Sequence, residues 1–240
     1  MPAMATSTRQ VQLMLALTFS TGIGDAVGYL GLDRVFTGNM TGNVVILGMG
    51  LVGAEGLPVT GPLLALVGFL VGAAVGGRAL KGLDAGWFPR TTILLAVVAV
   101  VIAALAGLLF VFPHPTIPVA VTVTTLLSTA MGLQAATARH IAVKDVTTVV
   151  VTSTITAIAA DSPLGGGSPK GWERRLGAIV LLILGAAVGA LLLRLHIGSG
   201  IALAAVVTAV VAVVGHLGHR PHRAPKPTAG QGNSTETSAA

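Results

Sequence analysis

The sequence predicts an all-α membrane protein with about six transmembrane helices and two short re-entrant or broken helices, arranged as an inverted internal repeat. Three observations carry that prediction. Hydrophobic residues make up 53% of the 240-residue chain and charged residues 9%, with a mean hydropathy of +0.89; a soluble domain carries roughly a quarter charged residues. Apolar stretches recur along the chain, and about six of them are long enough to cross roughly 30 Å of hydrocarbon. Two polar strings, TGNMTGN at 37–43 and TTVVVTSTIT at 147–156, interrupt the apolar pattern at corresponding places in the two halves. Paired interruptions of this kind point to a binding site in transporter-like folds.

The first stretch, 11–32, follows an N-terminal segment, 1–10, that carries one basic residue, Arg9. It is longer than the roughly 7–15-residue apolar core of a signal peptide and contains Asp25, so it reads as a retained helix. Residues 44–52 supply only about 14 Å of helix, and Asn43, Gly42, Asn39 and Gly38 lie directly upstream. Stretches 62–80 and 91–112 complete the first repeat, 11–112. The second repeat, 118–217, runs through 118–138, 146–160, 176–193 and 200–217. Its short member, 146–160, reaches about 22 Å and holds Thr147, Thr148, Thr152, Ser153, Thr154 and Thr156. Irregular backbone in lipid costs several kcal/mol per unsatisfied group, so both short segments are expected to face protein or a water-lined space. After the membrane domain, 11–217, residues 218–240 are rich in Pro, Gly, Ser and Thr and predict a disordered cytoplasmic tail.

Loop charge tests this arrangement. With the N-terminus cytoplasmic and the two short segments re-entrant, Arg34 and Arg194 fall outside and every other Lys and Arg falls inside. If all eight stretches crossed, Arg78, Lys81, Arg90, Arg139 and Lys144 would move outside and the basic residues would divide evenly. The positive-inside rule selects six spans with both termini cytoplasmic. Gly72-Ala-Ala-Val-Gly76 matches Gly185-Ala-Ala-Val-Gly189, Thr41-Gly42-Asn43 falls where Thr152-Ser153-Thr154 falls, and Asp25 roughly where Gln134 falls. Three spans per half make the repeats inverted. The spaced glycines read as close-packing positions.

Several function classes are disfavoured. The formal charge of +6 lies between apolar segments and in the tail, and aromatic residues are 4% of the chain. That argues against nucleic acid as a partner. The chain has no cysteine, which removes disulfides, thiolate catalysis and Cys-ligated zinc. The six histidines show no metal-ligand spacing. Gly165-Gly166-Gly167 lacks the Gly-Lys-Ser/Thr of a phosphate loop. No nucleophile, base and oxyanion set emerges, so neither an enzyme nor a cofactor is expected.

The candidate ligand-binding residues are Asp25, Thr37, Asn39, Thr41, Asn43, Gln134, Thr148 and Thr152. Asp25 is an acid well inside a long apolar stretch; such a group usually faces a cavity or partner, and is a candidate proton carrier. Asn39, Asn43, Thr37 and Thr41 offer amides and hydroxyls. At helical spacing Asn39 would share a face with Asn43, and Thr37 with Thr41. The same groups could instead cap the broken helix. Thr148, Thr152 and Ser153 or Thr156 fall on one face of the second short segment, Arg139 is placed to snorkel, and Thr122, Thr124, Thr125, Ser128 and Thr129 form a polar stripe suited to interhelical hydrogen bonds.

Gly24-Asp25-Ala26-Val27-Gly28-Tyr29-Leu30, followed by Phe36-Thr37-Gly38-Asn39-Met40-Thr41-Gly42-Asn43, resembles the signature of the YoaK family, bacterial multi-pass membrane proteins of unknown function. Gly132-Leu133-Gln134-Ala135-Ala136-Thr137-Ala138-Arg139 and the string at 147–156 resemble that family's second conserved region, with Ser153 where the family usually has Gly. The resemblance covers about 11–217. It implies an inner-membrane location and no established substrate. The residues themselves point to secondary transport of a small solute, with a proton as candidate coupling ion through Asp25. A channel, or a non-transporting scaffold or sensor, are the alternatives. Membrane lipid is the expected partner, and homo-oligomerisation is compatible with the sequence.

Overall fold

The computed structural model describes residues 8–54, 56–141, 151–167 and 171–218. The tail expected at 218–240 therefore lies, apart from Gly218, outside the described residues, as does Thr148. Along the chain run α1 (Thr8–Gly31), α2 (Met40–Leu51), α3 (Thr60–Ala79), α4 (Pro89–Val111) and α5 (Ile117–Ile141). Then come α6 (Val151–Ala160), a single 3-10 turn at Pro163–Gly165, α7 (Trp172–Leu192) and α8 (Ile197–Gly218). All regular structure among the described residues is helical. Six of these helices, all but α2 and α6, are long and apolar enough to cross a membrane. This is the all-α membrane class that the composition predicts.

The packing is inside-out relative to a soluble core. On α3 the buried positions are Gly61, Pro62, Ala65, Gly68, Gly72 and Gly76, while Leu70, Val71 and Val75 face outward. On α7 Ala178, Gly185 and Gly189 are buried, and Ile183, Leu184 and Leu191 face outward. Lipid solvates large apolar side chains as well as protein does, so small residues go inward, where they let helices approach closely. Two crossings use this. Gly72 of α3 lies against the Thr129 carbonyl of α5, and Gly132 of α5 lies against the Phe69 carbonyl of α3. Gly185 of α7 meets the Phe19 carbonyl of α1, and Gly22 of α1 meets the Leu182 carbonyl of α7. The third large pairing is α4 with α8. Larger side chains fill the centre between these pairs, among them Ile23, Ile102, Leu127 and Ile201.

Side-chain contacts fix which helix ends lie together. Arg9 packs against Gly218, and Trp87 of the α3–α4 connection packs against Gly215. The Gly86 N–H donates to the His140 carbonyl at 3.3 Å. One end of the bundle therefore holds both ends of the described chain and the end of α5, with Arg9, Arg78, Lys81, Arg90 and Arg139. At the opposite end Phe110 stacks on His196, and Asp33 meets α5 through Thr124.

The chain enters and leaves the stretch that carries α2 at that second end. Arg34, just past α1, donates to the Gly56 carbonyl at 3.2 Å, and Asp33 lies against Gly61 at the start of α3. So α2 returns to the level at which α1 finished, as a re-entrant helix does. Labelling of single cysteines checks the whole topology, since the chain has none of its own. Lys81→Cys and Glu173→Cys are expected to react from one side of the membrane and Ala54→Cys from the other. Reaction of the first two from opposite sides would mean that α6 crosses, and reaction of Arg9→Cys from the side opposite Lys81→Cys would mean that α2 crosses.

Candidate functional site

The site begins with a backbone problem. Residues 32–39 turn back into the bundle through Arg34, whose φ is 58°, and run along α1. Val35 lies against Gly28, Thr37 against Gly24 and Gly38 against Thr21. A Cβ at Gly24 would stand 2.9 Å from Thr37 Oγ1, and one at Gly38 would stand 2.8 Å from Thr21 Cγ2. The glycines make the groove in which the segment lies. From Gly31 back to Thr21 is about 15 Å of helix rise, so the segment reaches deep between the spans, where unpaired N–H and C=O groups are costly.

The polar side chains of this region supply the missing partners. Asp25 Oδ1 accepts from the Gly38 N–H at 2.7 Å, the Asn39 N–H at 3.3 Å and the Thr37 hydroxyl at 3.4 Å. Asn39 caps α2, its Oδ1 accepting from the Gly42 N–H at 3.2 Å. Asn43, fully buried, takes both backbone groups of Phe36. The Phe36 N–H donates to Asn43 Oδ1 at 2.9 Å, and Asn43 Nδ2 donates to the Phe36 carbonyl at 2.7 Å. The Phe36 ring stacks on Tyr29 at 4.8 Å between centroids. Asp25 thus stands at the N-terminus of α2, where the aligned peptide dipoles favour a negative charge. All three donations go to Oδ1, and Oδ2 accepts none of them.

Asp25, Thr37, Asn39 and Asn43 are therefore joined to this one segment, though differently from the helical spacing, while Thr41 stands outside the network. Thr37 precedes the helix and Asn39 is its cap, so neither shares a helix face with its partner four residues on. The Asn39 side chain starts α2 one residue later, which leaves Asn39 and Thr41 exposed while Asn43 is buried. Gln134 joins from α5, with Nε2 donating to Thr21 Oγ1 at 3.3 Å; its Oε1 is buried without a partner. Thr152 is exposed on α6, where its carbonyl accepts the Thr156 hydroxyl at 2.9 Å. In the described structure α2 packs against α3 and α6 against α7, and α6 has no buried side chain. The two short segments, which the sequence paired as pointers to one binding site, thus do not meet among the described residues. Arg139 is exposed at the end of α5, as snorkelling predicts.

Asp33 was not singled out from sequence, because Asp33-Arg34 after an apolar run reads as a plain interfacial loop. Its Oδ1 meets Thr124 Oγ1 at 2.7 Å, and its Oδ2 is buried without a partner. Desolvation raises its pKa above the ordinary carboxylate value, and the Thr124 hydroxyl opposes that. The folded state then holds the proton more tightly than the unfolded chain. Stability is expected to fall as pH rises from the usual carboxylate range through the raised value. Asp33→Asn should flatten that slope in thermal unfolding against pH.

Asn43→Ala tests the scaffold. It strands the Phe36 N–H and C=O, a loss of about 2–6 kcal/mol at about 1–3 kcal/mol per group. A clearly lower unfolding temperature in detergent is the expected result, and an unchanged one would sink this account.

The fold and site together define a polytopic α-helical membrane protein with a re-entrant polar segment held by a carboxylate. The chain belongs to the family described as protein of unknown function (DUF1275), whose profile matches residues 13–214. Its relatives include the UPF0700 transmembrane protein YoaK of Bacillus subtilis (strain 168), 32% identical over 150 residues. The match covers 62% of this chain and 65% of that protein, just under two thirds of the relative's length. The resemblance seen in the motifs is thereby borne out. No solved structure matches the chain.

Proposed function

We propose that the protein is a secondary transporter of a small solute in the inner membrane, with both termini cytoplasmic and Asp25 at the binding site. The observation that carries this reading is the environment of Asp25. One carboxylate oxygen is tied to the N–H groups of a re-entrant segment and the other is left out of that network. Interrupted helices whose N-termini point at the binding site recur in secondary transporters. Here the α2 N-terminus already has an anion, Asp25 itself. A second anion would meet like charge, so the solute chemistry that fits is cationic or hydrogen-bond donating.

The inverted repeat belongs to the same proposal, and the helix pairing supports it. Exchanging α1 to α4 for α5 to α8 turns α1–α7 into α5–α3, α1–α8 into α5–α4, and α2–α3 into α6–α7; each of these pairs is packed. The glycine crossings exchange in the same way, Gly72 with Gly185 and Gly132 with Gly22. The halves would rock about the α1–α5 region to expose Asp25 alternately. The more basic end of the bundle is the cytoplasmic one by the positive-inside rule.

A thermal-stability screen of purified protein against small metabolites, at constant ionic strength, tests the reading. Stabilisation is expected from cationic or donor-rich solutes and to disappear in Asp25→Asn. Stabilisation by anions alone, or persisting in that variant, would argue against it.

A further inference from the structure

Four side-chain polar atoms among the described residues are buried without a hydrogen-bond partner: Asp33 Oδ2, Ser128 Oγ, Gln134 Oε1 and His140 Nε2. Such atoms are few in native structures and each calls for a reason. His140 lies at the opposite end of the bundle from Asp33. The other three lie on α5 or against it, on the side that receives α1 and the re-entrant segment.

Ser128 stands out among its neighbours. On the same helix the hydroxyls of Thr122, Thr124, Thr125, Thr129 and Thr137 each donate to the carbonyl four residues back. That is the usual resting place of a helical hydroxyl away from water. Ser128 is fully buried and makes no such bond. It lies one turn, about 6 Å of rise, beyond Thr124 on the same face of α5.

Thr124 has a conflict of its own. Its Oγ1 is 2.9 Å from the Ala120 carbonyl and 2.7 Å from Asp33 Oδ1. One hydroxyl hydrogen cannot serve both acceptors at full strength. With the hydrogen on Ala120, the contact to Asp33 is completed by a proton on the Asp33 carboxyl or by a cation shared between the two oxygens. Among the described residues the elements packed on Asp33 bring no second charge: α3 presents Gly61 and α5 presents Thr124, while Arg34 is turned to the Gly56 carbonyl.

We infer that Asp33, Thr124 and Ser128 form a binding site for a small monovalent cation, hydronium or an alkali-metal ion, at the membrane face from which α2 enters. Free oxygen lone pairs and a carboxylate suit a positive charge and oppose an anion. From Ser128 the unpartnered Gln134 Oε1 lies about 9 Å further along α5. Gln134 bonds Thr21, and Thr21 packs against Gly38, which donates to Asp25. The site is thus the outer station of a polar track that leads to Asp25, and in that respect it rests on the transport reading.

The test uses the purified full chain in detergent, with choline replaced by lithium, sodium or potassium at constant ionic strength. In a second arm pH is stepped while the infrared carboxylic-acid carbonyl stretch is recorded. The native protein is expected to show a saturable rise in unfolding temperature with an alkali ion, or an acid band that disappears as pH rises. The first result identifies an alkali-metal ion and the second a proton. Asp33→Asn, which keeps an oxygen for Thr124, should abolish the response. Ser128→Ala removes a hydroxyl that bonds nothing, so a purely structural role leaves the response unchanged or raises stability. As a ligand, its loss should shift the midpoint about tenfold in ion concentration, or about one unit in pH. No response in the native protein, or one unchanged in both variants, overturns the site. Asp25→Asn separates the two readings. A response lost there but kept in Asp33→Asn and Ser128→Ala removes this site and spares the Asp25 reading. The converse pattern places the ion at this site, and the solute screen in Asp25→Asn then decides the Asp25 reading.

Discussion

Asp25→Ala is expected to collapse the re-entrant segment, whereas Asp25→Asn is expected to keep the fold and stop solute movement. Alanine removes the acceptor for the Gly38 and Asn39 N–H groups and the Thr37 hydroxyl. Stranding a buried donor costs about 1–3 kcal/mol, and the Gly38 N–H and the Thr37 hydroxyl are the two that lie part-buried, so a total of about 2 kcal/mol or more is expected. Asparagine keeps an oxygen where Oδ1 stands and loses only the charge assistance, about 1 kcal/mol. What it cannot do is carry a proton or face a cation with a carboxylate. Unfolding temperatures in detergent and uptake into proteoliposomes, with a solute found by the stability screen, read the two effects separately. Full uptake by Asp25→Asn would remove Asp25 from the mechanism, and an unchanged unfolding temperature for Asp25→Ala would remove it from the scaffold.

Gly132→Val is expected to be among the most damaging single changes in the spans. Any Cβ at Gly132 is driven into the backbone of Phe69 on α3, and neither helix backbone can give way as a flexible side chain would. Overpacking typically costs about 1–3 kcal/mol, occasionally more, and a backbone collision belongs at the upper end. Gly107→Ala is the control: a Cβ there meets nothing within 4 Å, so relief of the glycine penalty should leave stability unchanged or raise it by about 0.5–1 kcal/mol. Gly22→Val, at the corresponding crossing of α1 with α7, should match Gly132→Val in severity. Folded yield after purification and unfolding temperature are the measurements. A benign Gly132→Val would mean that α3 and α5 do not cross this closely.

The residues that proved readable share one property: their role follows from local chemistry. Asp25 is conspicuous because a carboxylate in an apolar run needs partners. Gly72, Gly76, Gly185 and Gly189 are conspicuous because small residues at helical spacing mark close crossings. The short segment after Asp25 is legible because its apolar length cannot span hydrocarbon. Asp33 and Ser128 could not be found this way. Asp33 looks like any loop acid until α3 and α5 close over it, and Ser128 looks like its threonine neighbours until its missing bond is seen. Asn43 was ambiguous for a related reason. Cap and ligand contact use the same amide, and only the position of Phe36 shows that both ends of it are taken by backbone.

By itself the sequence determined the solvent, the number of long spans and the polar strings, because these depend on composition and length along the chain. Tertiary structure alone decided how the strings are used. Asn39 became a cap and Asn43 a backbone clamp, and Asp25 became the acceptor for a segment thirteen residues further on. The second string's described residues lie apart on α6. Hydrogen-bond partners in a membrane are chosen by which helices come close, and that closeness comes from glycines facing the backbone of a helix distant in sequence, Gly22 to Leu182 and Gly132 to Phe69 among them.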